Sequence, residues 1–395
     1  MSVQAVSFFD GPNVDAFSRL RISSNNTDFD SKMSHDKQPL FWDEVVTGSG
    51  ASSVVSDSEV TMSVTESGDS VVRQTFMRFL YQPGKSKLIE MTGTLAPEDG
   101  VIKRCGYFDA NNGIGFEMRD GAAFGFIRKG GVDSYTELNP FAVYAESISR
   151  GFTDPVIIDW TKSQILFFDF QYLALGRVRW GVNVDGQPFY LDQNLHANRE
   201  VGPYMLRSNL PLRYEIESTG GAGSMTQICC GCFTEGGTDE TGILRFHSNG
   251  ITHVDATTAG TNYLLAAIRL KSTHLDGIIS LQSASVISLT NDNFFWSLLL
   301  NPTIAGTPSW TSKANSCVET TVGATANTVT GGVDIYGQYG YMQSAVSGQL
   351  NFKSTLRAGA KIDGTADILA LCFMPLGSGS VNADALGCIG WREIL

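Results

Sequence analysis

What most constrains this chain is its punctuation. Asn112-Gly113, Asp120-Gly121, Asp185-Gly186 and Gly220-Gly221 recur between short apolar or alternating runs. Asn-Gly and Asp-Gly pairs can adopt the positive φ that tight hairpins require. The runs between them carry the two-residue period of half-buried strands. In "SEVTMSV", Val60, Met62 and Val64 fall on one face; "VVRQTFMRFLY" follows a Gly68-Asp69 turn, and Pro83-Gly84 turns the chain into "LIEMTG". The chain holds 42 glycines in 395 residues, above the usual share of about 7%. Many short strands at regular spacing predict an all-β chain of sandwiches or barrels. The long strands and large aromatics favour a two-sheet, jelly-roll-like arrangement.

Three regions separate along the chain. Residues 1–40 mix turn formers with isolated Phe8, Phe9, Phe17, Leu20, Ile22 and Phe29, and read as an extended N-terminal arm that docks on something else. Residues 41–235 read as β throughout and form a large β-sandwich. In it "RCGYFDANNGIGFEMRDGAAFGFIRKG" is expected to give three strands joined at Asn112-Gly113 and Asp120-Gly121. "TEGGTDETG", residues 234–242, is the linker candidate, and residues 236–395 form a second, smaller β-sandwich. "YLLAAIRLK" in that part is read as a strand despite its helical propensity.

Charge bounds the partners. Charged residues make up 17%, below the roughly 25% of typical soluble domains, and the net charge is −12. Phosphate binding needs clustered Lys and Arg, so nucleic acid is not an expected partner. No apolar run of about 18 residues predicts a membrane span. The start "MSVQAVSFFDGPNVDAF" lacks the charged n-region and apolar core of a secretory signal. Synthesis in the cytoplasm is expected.

Four sets of residues could carry chemistry. Three of the seven cysteines crowd into "MTQICCGCF" as Cys229, Cys230 and Cys232, but without the second Cys or His pair of a structural zinc site. Read as one strand, Met225 to Phe233 places Cys230 and Cys232 on one face and Cys229 on the other, so buried thiols and no metal are expected. Paired carboxylates of a glycosidase stand about 5–9 Å apart. Glu117 with Asp120, and Asp169 in "FFDFQ", are the nearest candidates; Asp120 sits in a turn, and Asp169 is expected to satisfy Arg177 or Arg179. The five histidines form no metal or catalytic spacing, and His196 in "NLHAN" is expected to bond a loop. Of Trp42, Trp180, Trp296, Trp310 and Trp391, Trp180 and Trp296 are assigned to the core. Trp310, in "AGTPSWTSK", is the candidate glycan contact. No catalytic residue, cofactor or metal ligand is expected.

A resemblance adds to this. "DAFSRLRIS", "FDSKMSHDKQPLFWDEVVTGSGAS", "VVRQTFMRFLYQPGKSKLIEMTG", "RCGYFDANNGIGFE", "GRVRWGV", "HANREVGPYM" and "NLPLRYEIES" resemble a group of tailed-phage virion proteins common in aquatic phages. The likeness covers most of residues 15–235 and extends thinly into "AIRLK", "LLLNPT" and "WREIL". It implies a structural role as a capsid decoration, head fibre or tail-associated component, and brings no catalytic residues. The "YQPGKS" turn and the "HAN" segment read as architectural.

The expectation is therefore a non-enzymatic virion component. It would form a symmetric oligomer, first a trimer, and contact the major capsid or tail proteins. The arm is its expected anchor. In "SRLRIS", Arg19 and Arg21 face one way and Leu20 and Ile22 the other, so Phe17, Arg19, Leu20, Arg21 and Ile22 are the candidate assembly contacts, a strand added to a neighbour's sheet edge. The alternative is a carbohydrate-binding adhesin of a virion fibre or tail, with a host surface glycan as partner.

Overall fold

The structure is a computed structural model that describes residues 23–239, 241–341, 345–349 and 357–394. The assembly contacts Phe17, Arg19, Leu20, Arg21 and Ile22 lie outside the described residues. Among the described residues the chain forms thirty strands and one helix, so it is all-β.

In chain order the first strands are β1 (Asn25–Lys32), β2 (Trp42–Thr47), β3 (Ser52–Ser56), β4 (Glu59–Val64) and β5 (Ser70–Thr75). Next come β6 (Lys87–Thr94), β7 (Val101–Phe108), β8 (Asn112–Arg119), β9 (Ala122–Lys129) and β10 (Val132–Glu137). After helix α1 (Pro140–Ser149) follow β11 (Ser163–Phe170), β12 (Val178–Val184), β13 (Gln187–Asn194), β14 (Leu212–Ser218), β15 (Gly223–Gln227) and β16 (Cys229–Glu235). A six-stranded sheet runs β1-β16-β6-β11-β12-β13, and a seven-stranded sheet runs β10-β9-β8-β7-β14-β5-β2. Between their inner faces lie Trp180, Tyr107, Phe168 and Tyr214, all fully buried. Gly125 makes room for this core: a Cβ there would stand 2.5 Å from the Trp180 indole, whose Nε1 donates to Gly115 O at 3.0 Å.

The second set of sheets uses β17 (Ile243–Ser248), β18 (Val254–Thr258), β19 (Asn262–Leu270), β20 (Ile278–Ser288) and β21 (Phe294–Leu300), with later strands. The C-terminal strand Ser380–Ile394 pairs with β17 and β18 on one side and β20 on the other. The facing sheet centres on β19, Ile368–Pro375 and β21. Its separate core holds Trp296, Trp391, Phe294 and Phe373. The "YLLAAIRLK" segment is strand β19, as its context requires. The two parts meet where Ile362 N donates to Asp43 Oδ2 (2.7 Å), Ala360 N to Phe76 O (3.1 Å) and Asn209 Nδ2 to Asp276 O (3.2 Å).

Four readings change. Residues 41–235 are not β throughout: α1 interrupts them, started by Asn139, whose side chain accepts from Phe141 N, and by Pro140 in the first turn. Asn112-Gly113 is not a hairpin turn but the start of β8. The turn is Asp109–Asn111, where Asp109 Oδ1 accepts from Asn111 N and Asn112 N. Gly113 is instead pressed against Phe108 across the ladder, where a Cβ would meet the Phe108 Cβ at 2.0 Å. "MTQICCGCF" is two strands, β15 and β16, in different sheets, broken at Ile228. Finally, residues 25–32 of the expected arm form β1 of the chain's own six-stranded sheet, with Phe29 buried. The buried ammonium of Lys87 fixes this strand, donating to Asp28 Oδ2 at 2.6 Å and to Thr234 Oγ1 at 3.1 Å.

Candidate functional site

The first sandwich opens at one end, between edge strand β10 of one sheet and edge strand β13 of the other. Here lies a cleft of about 440 Å³ walled by Ile127, Ser134, Asn194, His196, Pro203 and Tyr204. The 195–206 segment that closes it is tied down along its length. His196 Nε2 donates to Gly202 O at 2.6 Å, Tyr204 N to Ala174 O at 3.0 Å, and Leu206 N to Asn112 Oδ1 at 2.9 Å. The Tyr204 ring stands edge-on to Tyr172 and to His196, with centroids 5.3 and 5.6 Å apart. These contacts leave Tyr204 5% exposed. Its hydroxyl has no hydrogen-bond partner, and neither has Asn194 Oδ1. Burial pushes the Tyr204 phenol well above its ordinary value, helped by Tyr81 and Tyr172, so it stays protonated and able to donate.

Beside the cleft, the outer face of the seven-stranded sheet is a lattice of paired charges. Arg104 bonds Glu117 Oε2 (2.6 Å), Glu215 Oε1 (2.7 Å) and Glu217 Oε1 (2.9 Å). Arg213 Nε takes the other Glu215 oxygen at 2.8 Å. Arg128 grips both oxygens of Asp133 (2.7 and 2.9 Å), and the Arg119 guanidinium lies over Tyr135 at 4.1 Å. Burial alone would raise the Glu215 pKa, but Arg213 and Arg104 outweigh it and hold it below the ordinary value. A general acid needs the opposite shift. This carboxylate is built to stay ionised.

Other sequence candidates fall as follows. Asp169 pairs with Arg179, one of its two expected partners, with Nε–Oδ1 at 2.7 Å. Trp180 and Trp296 are in the cores. Trp310 sits in a loop but is half-buried, and the Arg269 guanidinium covers its ring at 4.2 Å. That ring face is closed to a sugar. Cys230 and Cys232 point inward and Cys229 outward, so the three thiols do not converge. Burial pushes the Cys230 thiol well above its ordinary value, which keeps it protonated and unreactive. Among the described residues the metal-ligating groups that do gather are His253, Asp255 and Asp384, with His253 Nε2 3.0 Å from Asp255 Oδ1. No described helix is long and apolar enough to cross a membrane.

Of the cleft residues, the sequence singles out His196 alone, as a loop contact, and it does bond Gly202 O. "HANREVGPYM" reads as architecture, and nothing local marks the Tyr204 hydroxyl as buried without a partner.

A second surface stands out on the other sandwich. Edge strand β17 exposes Ile243, Leu244 and Phe246, the last 69% exposed, and Ile251 follows in the next turn. Leu244 and Phe246 lie two residues apart, on one face of the strand.

No family model and no curated protein matches the chain. Among solved structures it is similar to a protein of unknown function from Shewanella oneidensis MR-1, at 11% identity over 60% of this chain and 100% of that one, with a TM-score of 0.38. It is similar to a Bacillus licheniformis β-glucanase at 11% identity, over 56% and 100% of the two chains, with a TM-score of 0.33. The Emp47p carbohydrate recognition domain aligns at 10% identity, over 53% and 96%, with a TM-score of 0.32.

Proposed function

We propose that this chain is a non-enzymatic structural component of a tailed-phage virion that works as one of several identical copies. The observation that carries the assembly reading is β17. An edge strand offers unpaired backbone groups, and natural proteins blunt such edges with charge, proline or cover. Here the edge carries Ile243, Leu244 and Phe246 into solvent instead. A second copy that covers them removes apolar surface from water at about 25 cal/mol per Å². The resemblance of most of residues 15–235 to phage virion proteins supports the setting. Residues 1–22, which precede β1, are then the segment left to reach capsid or tail proteins.

Sedimentation tests this. The wild-type chain should form a symmetric oligomer, a trimer first, and the Leu244→Asp/Phe246→Asp variant should fall to a smaller species with unchanged circular dichroism. A wild-type monomer at the high local concentrations of a virion overturns the reading. Deletion of residues 1–22 should leave a folded oligomer that no longer joins the virion. Normal occupancy of that deletion variant refutes the anchor.

A further inference from the structure

We propose that His253, Asp255 and Asp384 bind a divalent transition cation of the zinc class on the outer face of the second sandwich. The inference does not rest on the assembly reading, for it needs only β18 and the C-terminal strand of a single chain.

The backbone brings the three residues together. Val254 and Ala256 point into the core, so His253 and Asp255 share the outer face. On the C-terminal strand Ala383 and Ala385 point inward, which turns Asp384 outward, and Asp384 is the register partner of Asp255. His253 Nε2 stands 3.0 Å from Asp255 Oδ1 and 3.7 Å from Asp384 Oδ2. One ligand atom from each of the three residues lies within 4.8 Å of the other two. Ligand atoms held at about 2.0–2.2 Å from a tetrahedral or octahedral ion stand about 3–3.6 Å apart. The two imidazole separations fall at the ends of that range. Asp255 is exposed, so rotation of its side chain closes the remaining gap without moving the backbone.

Charge calls for a cation here. Like charges directly opposite on neighbouring strands are destabilising. Elsewhere the chain answers facing carboxylates with guanidinium groups: Glu117, Glu215 and Glu217 share Arg104, and Asp133 takes Arg128. Among the described residues no Lys or Arg pairs with Asp255 or Asp384, and the group between them is the His253 imidazole. Imidazole is the commonest metal ligand among side chains. The donor set then selects the ion. Calcium and magnesium take oxygen ligands. One imidazole nitrogen with two carboxylates suits zinc and its first-row neighbours, with water in the open positions. A bound ion would tie β18 to the C-terminal strand.

The test titrates the full-length, untagged chain in metal-free buffer with zinc, manganese, calcium and magnesium chlorides, followed by calorimetry. Zinc should bind at one equivalent per chain and raise the thermal midpoint. Groups that merely orient a ligand are worth about 10–100-fold in metal affinity, so loss of a ligand should weaken binding at least about tenfold. His253→Ala and Asp384→Asn should each do so and abolish the midpoint gain, with unchanged circular dichroism. Exposed Cys229 is the rival zinc ligand, and Cys229→Ser should leave the binding as it was. Absence of zinc binding overturns the proposal, and so does calcium binding of equal affinity. Unchanged zinc affinity in either ligand variant, or its loss in Cys229→Ser, overturns it as well.

Discussion

The two sandwiches solve the same packing problem with different materials. The first, residues 25–235, buries Asp69, Arg73, Lys87, Lys103, Arg104, Glu117, Arg128, Arg213 and Glu215; among the described residues of the second, the buried charged side chains are Asp367 and Glu393. The first thus holds much of its buried charge in ion pairs of fixed geometry, chiefly on the outer face of its seven-stranded sheet. Arg73, enclosed beside Trp42, donates to Gln227 Oε1 and to Lys37 O, both at 2.7 Å, and pairs with Glu44. The second packs Ala, Leu and aromatic side chains and needs little directional chemistry inside, and its edge strand β17 exposes Ile243, Leu244 and Phe246. Fixed polar geometry accompanies the cleft, and unspecific apolar surface accompanies the proposed assembly edge.

The largest test of this contrast is the removal of one charge from each half. Glu215→Ala strips Arg104 and Arg213 of a shared partner in a buried site, so it should cost about 3–5 kcal/mol. Glu319→Ala breaks the half-exposed pair with Arg269, whose Nη2–Oε2 distance is 2.9 Å, and should cost about 0–1 kcal/mol. Urea denaturation of both variants checks the difference, and equal losses would break the comparison.

Acid should separate the halves next. In Asp28, Glu44, Asp133 and Glu215, burial alone would raise the pKa, but paired cations and hydrogen bonds hold each below its ordinary value. The unfolded chain then binds protons more readily. Stability from these groups is complete above the ordinary carboxylate values of 3.8 and 4.5, and is lost as pH falls through the lower folded values. In the second sandwich the depressed His247, shifted by burial and then by Lys313, acts with the same sign but starts at its ordinary value of 6.5. Hydrogen exchange followed against pH should therefore show a small early loss near β17 and a larger, later loss across residues 25–235. Simultaneous loss in both would argue that the halves unfold as one.

The smallest expected effect sharpens the surface contrast. Asp255 sits opposite Asp384 across β18 and the C-terminal strand, with His253 beside both. Like charges directly opposite are mildly destabilising. His253→Ala should lower stability by less than about 1 kcal/mol, because the site is solvated. A loss as large as that of Glu215→Ala would mean this exposed cluster is built like the buried lattice.

The fold was legible where local rules act alone. Alternation found β4, with Val60, Met62 and Val64 all inward. Asp120-Gly121 and Asp185-Gly186 do turn, with φ of 47° and 79°, and 52° and 74°. The same rule failed at Asn112-Gly113, because Gly113 serves a close approach to Phe108, which no local pattern displays. It failed again at Ile228, where a strand leaves one sheet for another and the face that looks inward changes without a break in hydrophobicity. The helix at 140–149 went unread because its cap, Asn139-Pro140, lies among strand-like neighbours.

Sequence by itself determined the class: turn chemistry and a two-residue period leave little but antiparallel strands. It also placed Trp180 and Trp296, since large apolar groups in strands have one favourable destination, but not which face of "CCGC" is buried, for Cys229 is exposed. Only the tertiary structure decided what those strands enclose. Arg104 meets Glu215 across 111 residues of chain, and Tyr204, Asn194 and Ser134 reach one cleft from three segments. Which polar atoms find partners, and which are buried without one, depends on distances of a few ångströms between distant residues. A side-chain period, which records only inside and outside, carries no such information.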